Sequence, residues 1–147
     1  MKLMPYLMFA NSQCREAFDF YAKVLNGKIL ATSTYGDMPV MEGQPPMPEA
    51  MKSQIANIHL LADGAEMMGA DNAMIMEGQA PEGDNTTVNI EVDSIGEAER
   101  IFAELSAGGK VVCPITETFW AHRWGMFTDR FGKPWMVNCM KPMPGAS

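Results

Sequence analysis

The sequence lacks long hydrophobic runs, clusters of basic residues and enough cysteines for a disulfide framework. Its formal net charge is −7, and its 11 Lys and Arg residues are scattered. Because binding to phosphate backbones needs clustered positive charge, we expect no nucleic-acid partner. No apolar stretch approaches the ~18 residues of a membrane span, and no secretory signal is visible, so we expect a cytoplasmic protein with no membrane partner.

The three cysteines, Cys14, Cys113 and Cys139, are odd in number and far apart, and none belongs to a Cys-x-x-Cys pair. This spacing is typical of reduced thiols in a cytosolic protein rather than of a disulfide or zinc framework. Free cysteines commonly act as small buried hydrophobic side chains. We therefore expect structural rather than chemical roles for them.

The sequence does contain an ordered series of strand and helix patterns. Its 147 residues, 47% of them hydrophobic, are enough for one domain with a proper core. The first half predicts a strand, a helix and three further strands, at residues 3–10, 14–25, 28–35, 54–62 and 65–70. Asn11 and Ser12 offer N-cap oxygens for the helix, and Gly27 offers a left-handed stop. Asp63-Gly64 predicts a hairpin turn.

The second half repeats this order. Ser94 and Glu97 form a capping-box pattern at the start of a helix, and Gly108-Gly109 ends it. The remaining patterns predict four strands, at residues 86–93, 110–115, 118–128 and 134–140. Two longer loops, 36–52 and 72–85, interrupt the series. Both carry methionines, which suit either an adaptable lid or a subunit contact.

The repeated order of strand, helix and three strands defines the predicted fold. We expect one α+β domain made of two βαβββ modules, about 1–71 and 86–141, joined by the loop 72–85. Because one module leaves an apolar sheet face uncovered, the two are expected to form a cupped mixed sheet with the helices outside. The cup would hold a small ligand. A ferredoxin-like sandwich is the alternative fold.

An aromatic strand is the strongest local feature. Side chains alternate along a strand, so Trp120, His122 and Trp124 should share one face. Two indoles beside an imidazole would form a flat wall for an aromatic or quinone-like ring. Glu117 could orient His122 or act as a base. The alternative is that these tryptophans belong to the core or to a dimer interface.

Three segments resemble a known family: Pro5–Phe9, Glu117–Gly125 and Thr128–Asn138. Their Phe-Trp…Trp-Gly…Asp-x-Phe-Gly…Trp pattern, with the repeated βαβββ order, resembles the PhnB-like branch of the vicinal oxygen chelate superfamily. That superfamily includes glyoxalase I, ring-cleaving dioxygenases, and fosfomycin- and bleomycin-resistance proteins. The resemblance implies a glyoxalase/bleomycin-resistance-like fold and a homodimer in which paired halves share the cup.

Metal-dependent members of that superfamily place ligands on strands of both halves. By position, the resemblance carries these ligands over to Tyr6, to Asn57 or His59, to Thr87 and to Asn138. Glyoxalase-type members have His and Glu there, so the ligand set in this chain is altered. We therefore predict no cofactor, with a divalent metal as the alternative. On the predicted strand His59 shares a face with Asn57. It could act there as an acid or base, or it could be a hydrogen-bonded structural histidine.

These patterns support three functional hypotheses. The first is a PhnB-like protein of undetermined reaction that binds a small apolar or aromatic molecule through the predicted ligand residues Tyr6, Asn57, Trp120, Trp124 and Asn138. The second is a metal-dependent glyoxalase-, transferase- or dioxygenase-like enzyme, for which the catalytic candidates are His59, His122 and Glu117. The third is a partner protein whose cup is filled by its own side chains.

Overall fold

A computed structural model describes residues 2–39, 43, 45–72 and 86–142. The chain divides into two compact units, Met1–Glu82 and Gly83–Ser147. Most of the predicted linker 72–85, with its Met74 and Met76, lies outside the described residues, as does Met41 of the loop 36–52. None of the described helices is long and apolar enough to cross a membrane.

The first unit is one four-stranded sheet with a helix. Its main elements are β1 (Tyr6–Phe9), α1 (Cys14–Val24), β2 (Lys28–Thr34), β3 (Ile55–Ala62) and β4 (Ala65–Asp71). The strand order is β1-β4-β3-β2, with β1 parallel to β4 and the other pairs antiparallel. A 3₁₀ turn, Tyr35–Asp37, begins at the last residue of the predicted strand 28–35, and a short helix α2 (Glu49–Lys52) lies in the predicted loop 36–52.

The second unit repeats the first. Its elements are β5 (Val88–Glu91), α3 (Ile95–Ser106), β6 (Lys110–Thr116), β7 (Ala121–Thr128) and β8 (Pro134–Met140). The strand order is β5-β8-β7-β6, and β5 is parallel to β8. Two four-stranded mixed sheets with three helices confirm the predicted α+β fold of two βαβββ modules. The closure of the modules into one cup stays a prediction.

Local signals set most of the element ends. Asp63 and Gly64 adopt φ values of 48° and 78°, as the predicted hairpin turn requires. The amide of Glu97 donates to Oγ of Ser94 at 3.1 Å, so Ser94 caps α3. Gly108 supplies the left-handed residue after that helix, with φ 79°.

Two predictions about α1 were wrong in their residues. Asn11 and Ser12 do not cap it; its N-cap position is Gln13, and the Asp71 carboxylate accepts from the Cys14 amide at 2.9 Å. The left-handed residue at its end is Asn26, with φ 52°, rather than Gly27. Gly27 is needed instead for close packing, because a Cβ there would lie 2.8 Å from the Leu61 carbonyl oxygen.

In each unit the helix covers one face of the sheet, and the core lies between them. The buried core of the first unit includes Phe9, Phe18, Ile58 and Leu60, and that of the second includes Phe102, Leu105, Phe127 and Val137. Alternation along the strands sends the intervening side chains to the opposite face. We call it the helix-free face. In the first sheet it carries Tyr6, Asn57, His59, Glu66 and Met68, and in the second Asn89, Trp124, Met126, Met136 and Asn138.

Candidate functional site

The helix-free face of the first sheet brings together three predicted residues. The register pairs Tyr6 with Met68, and Met68 with His59, so the three lie in one row across β1, β4 and β3. Asn57 lies beside this row and donates through Nδ2 to the Tyr6 hydroxyl at 3.3 Å. Tyr6 in turn donates to the Ala56 carbonyl at 3.4 Å. The prediction that Asn57 and His59 share a face agrees with the burial of Ile58 between them.

His59 has a carboxylate partner that was not foreseen from the sequence. Its Nε2 lies 2.9 Å from Oε1 of Glu66, and Lys2 contacts the other carboxylate oxygen. The imidazole and the carboxylate are each less than a fifth exposed. Glu66 stands in the strand following the Asp63-Gly64 turn, so only the hairpin register could have identified this pair.

Tyr35 is a second residue that the sequence did not single out. Its hydroxyl donates to the Asp71 carbonyl at 2.8 Å. Burial raises the pKa of the Tyr35 hydroxyl, and the neighbouring Tyr6, Asp71 and Cys14 raise it further. Tyr35 therefore adds a polar group within electrostatic reach of Tyr6.

The helix-free face of the second sheet carries aromatic and amide side chains, together with the carboxylate of Glu91, which is paired with Asn138. Trp124 on β7 is paired directly with Asn138 on β8. Asn138 is only 6% exposed, and its side-chain amide donates to Oδ1 of Asn89 on β5. A row formed by Asn89, Met136 and Met126 lies beside them. The two predicted residues Trp124 and Asn138 are thus adjacent, and Asn89 is an addition.

Trp120 lies outside the strand in which it was predicted. The strand β7 begins at Ala121, because Thr118 and Ala121 close a turn through two hydrogen bonds of 3.0 and 3.1 Å. The Trp120 ring still lies 5.6 Å from that of Trp124 in an edge-to-face arrangement. The two indoles therefore form one aromatic cluster, joined by the exposed Phe119, whose ring is 4.8 Å from Trp120.

Of the two other catalytic candidates of this region, Glu117 has a structural contact. Glu117 forms an ion pair with Lys141 at 3.4 Å. His122 is half-buried and falls where the pairing with β8 shifts between Ala121 and Arg123, which breaks strict alternation. Its sharing of a face with Trp124 therefore stays a prediction, as does any role of Glu117 as a base.

The ligand positions implied for a divalent metal do not fit such an ion. Tyr6 and Asn57 are hydrogen-bonded to each other, Asn138 donates to Asn89, and Thr87 lies one residue before β5. Apart from the imidazole of His59, whose Nε2 lies 2.9 Å from the Glu66 carboxylate, these positions offer hydroxyl and amide groups. Divalent transition metals favour about three or four imidazole, carboxylate or thiolate donors. Within the described ranges, no group of three or more His, Cys, Asp or Glu converges.

Comparison with known proteins assigns the family. The chain matches the Glyoxalase/Bleomycin resistance protein/Dioxygenase superfamily over residues 3–137, and it belongs to that superfamily, the vicinal oxygen chelate proteins. Protein YjdN of Escherichia coli (strain K12) is 34% identical over 149 residues, which cover 98% of this chain and 99% of that protein.

Solved structures give the same result. Protein PA1353 from Pseudomonas aeruginosa is 39% identical, with a TM-score of 0.81 over 97% of this chain and 99% of that one. A PhnB protein from Bacillus cereus is 19% identical, with a TM-score of 0.72 over 94% of this chain and 98% of that one. This second likeness shows a shared fold.

Proposed function

We propose that the protein binds a small apolar or aromatic molecule at the helix-free face of the second sheet. Trp124 and Trp120 would contact the ring of the ligand, and Asn138 and Asn89 would hydrogen-bond its polar group. The supporting observation is the pairing of Trp124 with Asn138, because it sets an aromatic surface directly beside an amide. Sites of this kind combine apolar walls with a few placed polar groups.

The amide pair leaves hydrogen-bonding capacity for a ligand. One N–H of Asn138 is bound to the Asn89 oxygen. An asparagine side chain has two N–H donors and one oxygen acceptor, so the Asn138 oxygen and the Asn89 amide group can still bind a polar atom. A ring carrying one carbonyl or hydroxyl group would match this arrangement. Tyr6 and Asn57 stay predicted ligand residues on the face of the first sheet.

The test uses intrinsic fluorescence. All three tryptophans lie in the second unit, and Trp135 is buried, with its Nε1 donating to Asp129 at 2.9 Å, so it gives a constant background. Titration with a panel of quinones, phenols and aliphatic ketones should give a saturable change for at least one class. The affinity measured in this titration should fall about tenfold or more in Asn138→Ala. Val112→Ser, an exposed change on β6, is the control; no saturable response to any class would contradict the proposal.

The proposal extends to location, assembly and cofactors. The protein would act in the cytoplasm as a homodimer, without a bound cofactor. The family resemblance supports the homodimer, and the donor set described above supports the absence of a metal. Light scattering coupled to gel filtration should give a mass near twice 16.2 kDa. A mass of a single chain at micromolar concentration would refute the homodimer without affecting the binding proposal.

A further inference from the structure

The pair formed by His59 and Glu66 has the geometry of a positioned base. An ionised carboxylate only accepts hydrogen bonds, so the 2.9 Å contact requires the proton of a neutral imidazole to be on Nε2. Nδ1 is then the atom left to accept a proton. Lys2 contacts the second carboxylate oxygen of Glu66.

Two hydrogen-bond donors on the same face are only loosely engaged. The Asn57 amide reaches the Tyr6 hydroxyl at 3.3 Å and the Met68 sulfur at 4.0 Å, and the Tyr6 hydroxyl reaches the Ala56 carbonyl at 3.4 Å. N–H···O hydrogen bonds normally measure about 2.7–3.2 Å and O–H···O hydrogen bonds about 2.5–3.0 Å. Both groups can therefore turn toward a bound molecule at little cost.

The spacing of these groups suits a small planar molecule. Asn57 and His59 are two residues apart on one strand, which places them about 7 Å apart along it. Met68 lies between Tyr6 and His59 in the register, so its thioether forms the floor between the base and the donors. A molecule of one or two rings lying on Met68 would contact both.

We propose that the helix-free face of the first sheet is a metal-independent proton-transfer site. His59 is the catalytic base, Glu66 is its positioning residue, and Tyr6 and Asn57 bind the oxygen that gains negative charge. The substrates are small planar molecules with an acidic C–H close to such an oxygen. The C–H bond breaks, the proton moves to Nδ1 of His59, and the electron pair ends on that oxygen. This inference goes beyond the proposed binding function and uses residues of the first unit only.

The probe is 5-nitrobenzisoxazole, which needs no co-reactant. When a base removes its C–H proton, the N–O bond opens and the electron pair ends on the phenolate oxygen of a coloured product. The full-length protein should accelerate this reaction over buffer. His59→Gln should lose about 100-fold of that acceleration, as expected for a positioned base. Equal rates in the unchanged protein and His59→Gln would overturn the proposal.

The positioning role of Glu66 is tested separately. Glu66→Gln should lower the rate, whereas Glu104→Gln should not, since it removes a carboxylate from an exposed ion pair with Arg100 on α3. Long-range ¹⁵N NMR should find the Nε2–H tautomer of His59 in the unchanged protein and a mixture of tautomers in Glu66→Gln. Circular dichroism checks that each variant is folded. An unchanged rate in Glu66→Gln, or an Nδ1–H tautomer at the start, would refute the dyad, whatever the tryptophan titrations give.

Discussion

Asp129 has a structural role in the segment Thr128–Asn138, which resembles the family. Its carboxylate is almost fully buried and accepts from the amides of Phe131 and Lys133 at 2.8 and 2.9 Å. Its other oxygen accepts from the Trp135 indole at 2.9 Å. The Asp-x-Phe-Gly…Trp pattern therefore fixes the turn before β8, which in turn places Asn138.

Replacing Asp129 should cost much stability. We expect Asp129→Ala to lower the free energy of unfolding by about 2–4 kcal/mol, because one buried and two half-buried donors lose their acceptor. Trp135→Phe, which removes one donor and leaves Asp129 in place, should cost about 1–3 kcal/mol. Urea denaturation followed by circular dichroism measures both. A loss below about 0.5 kcal/mol in Asp129→Ala, similar to that of a surface variant, would refute this role.

The raised pKa of the Tyr35 hydroxyl leads us to expect a change in stability at alkaline pH. Burial, and then its neighbours, raise the pKa of its hydroxyl above the ordinary 10.0. A pKa raised on folding means that the neutral hydroxyl stabilises the fold below pH 10, and this stabilisation is lost as the pH rises through the folded pKa. Absorbance near 295 nm should show one tyrosine ionising later than a free tyrosine.

Tyr35→Phe is the matched variant for that titration. It should lack the late-ionising group, and its unfolding free energy should fall less between pH 9 and 11 than that of the unchanged protein. Persistence of the late transition in Tyr35→Phe would show that Tyr35 is not its source.

The residues missed by sequence reasoning share a physical cause. Glu66, Asn89 and Tyr35 are ordinary polar residues in their own segments. Their importance arises from partners on other strands or further along the chain, and a partner is fixed only by strand register and bulges. The residues that were found, such as Trp124 and Asn138, carried an aromatic or family pattern visible within one segment.

At the scale of elements, strand register shows that the two modules are equivalent. The row formed by Tyr6, Met68 and His59 crosses β1, β4 and β3, and the row formed by Asn89, Met136 and Met126 crosses the equivalent strands β5, β8 and β7. A thioether thus lies at the centre of both rows. The repeat was predicted from the order of elements, whereas its residue correspondence required the pairing across strands.

Two glycines allow the helices to approach the sheets. A Cβ on Gly69 of β4 would lie 2.5 Å from the Phe18 ring of α1, and one on Gly125 of β7 would lie 2.5 Å from the Phe102 ring of α3. Gly69→Ala and Gly125→Ala should each lower the free energy of unfolding by about 1–3 kcal/mol, because the helix must shift.

Gly96 provides a control, because its replacement should raise the free energy of unfolding rather than lower it. It lies in the first turn of α3, and a Cβ there meets no atom within 4 Å. Gly96→Ala should stabilise the protein by up to about 1 kcal/mol, because alanine loses less backbone entropy in a helix. Thermal denaturation compares the three variants. If all three substitutions changed the free energy of unfolding in the same direction, the contacts with Phe18 and Phe102 would not limit packing.

Elements whose signals are local were predicted well. The Asp63-Gly64 turn, the Ser94 cap and the strand Pro134–Met140 all agree with the structure. The start of α1 could not be found in the same way, because its amide partner Asp71 is 57 residues away. Predicting β7 from residue 118 failed because the Thr118 hydroxyl closes a turn, which alternation of apolar residues does not reveal.

At the scale of the whole molecule, each unit has its own sheet, helix and buried core. A four-stranded sheet with one helix is small for an independent domain, since small chains bury too little surface for high stability. This is the physical reason for predicting that the two modules fold as one domain. The prediction can be tested in solution without any ligand.

The tryptophans make that test specific, because all three report on the second unit alone, whereas circular dichroism reports on both. Ile58 is buried in the core of the first unit, and Ile58→Val should cost about 1 kcal/mol. If the modules unfold together, the urea midpoint measured by tryptophan fluorescence should fall as far as that measured by circular dichroism. Val137→Ala, in the core of the second unit, is the control that must shift the fluorescence in either case. An unshifted fluorescence midpoint in Ile58→Val, with an earlier separate transition in circular dichroism, would show that the modules unfold independently.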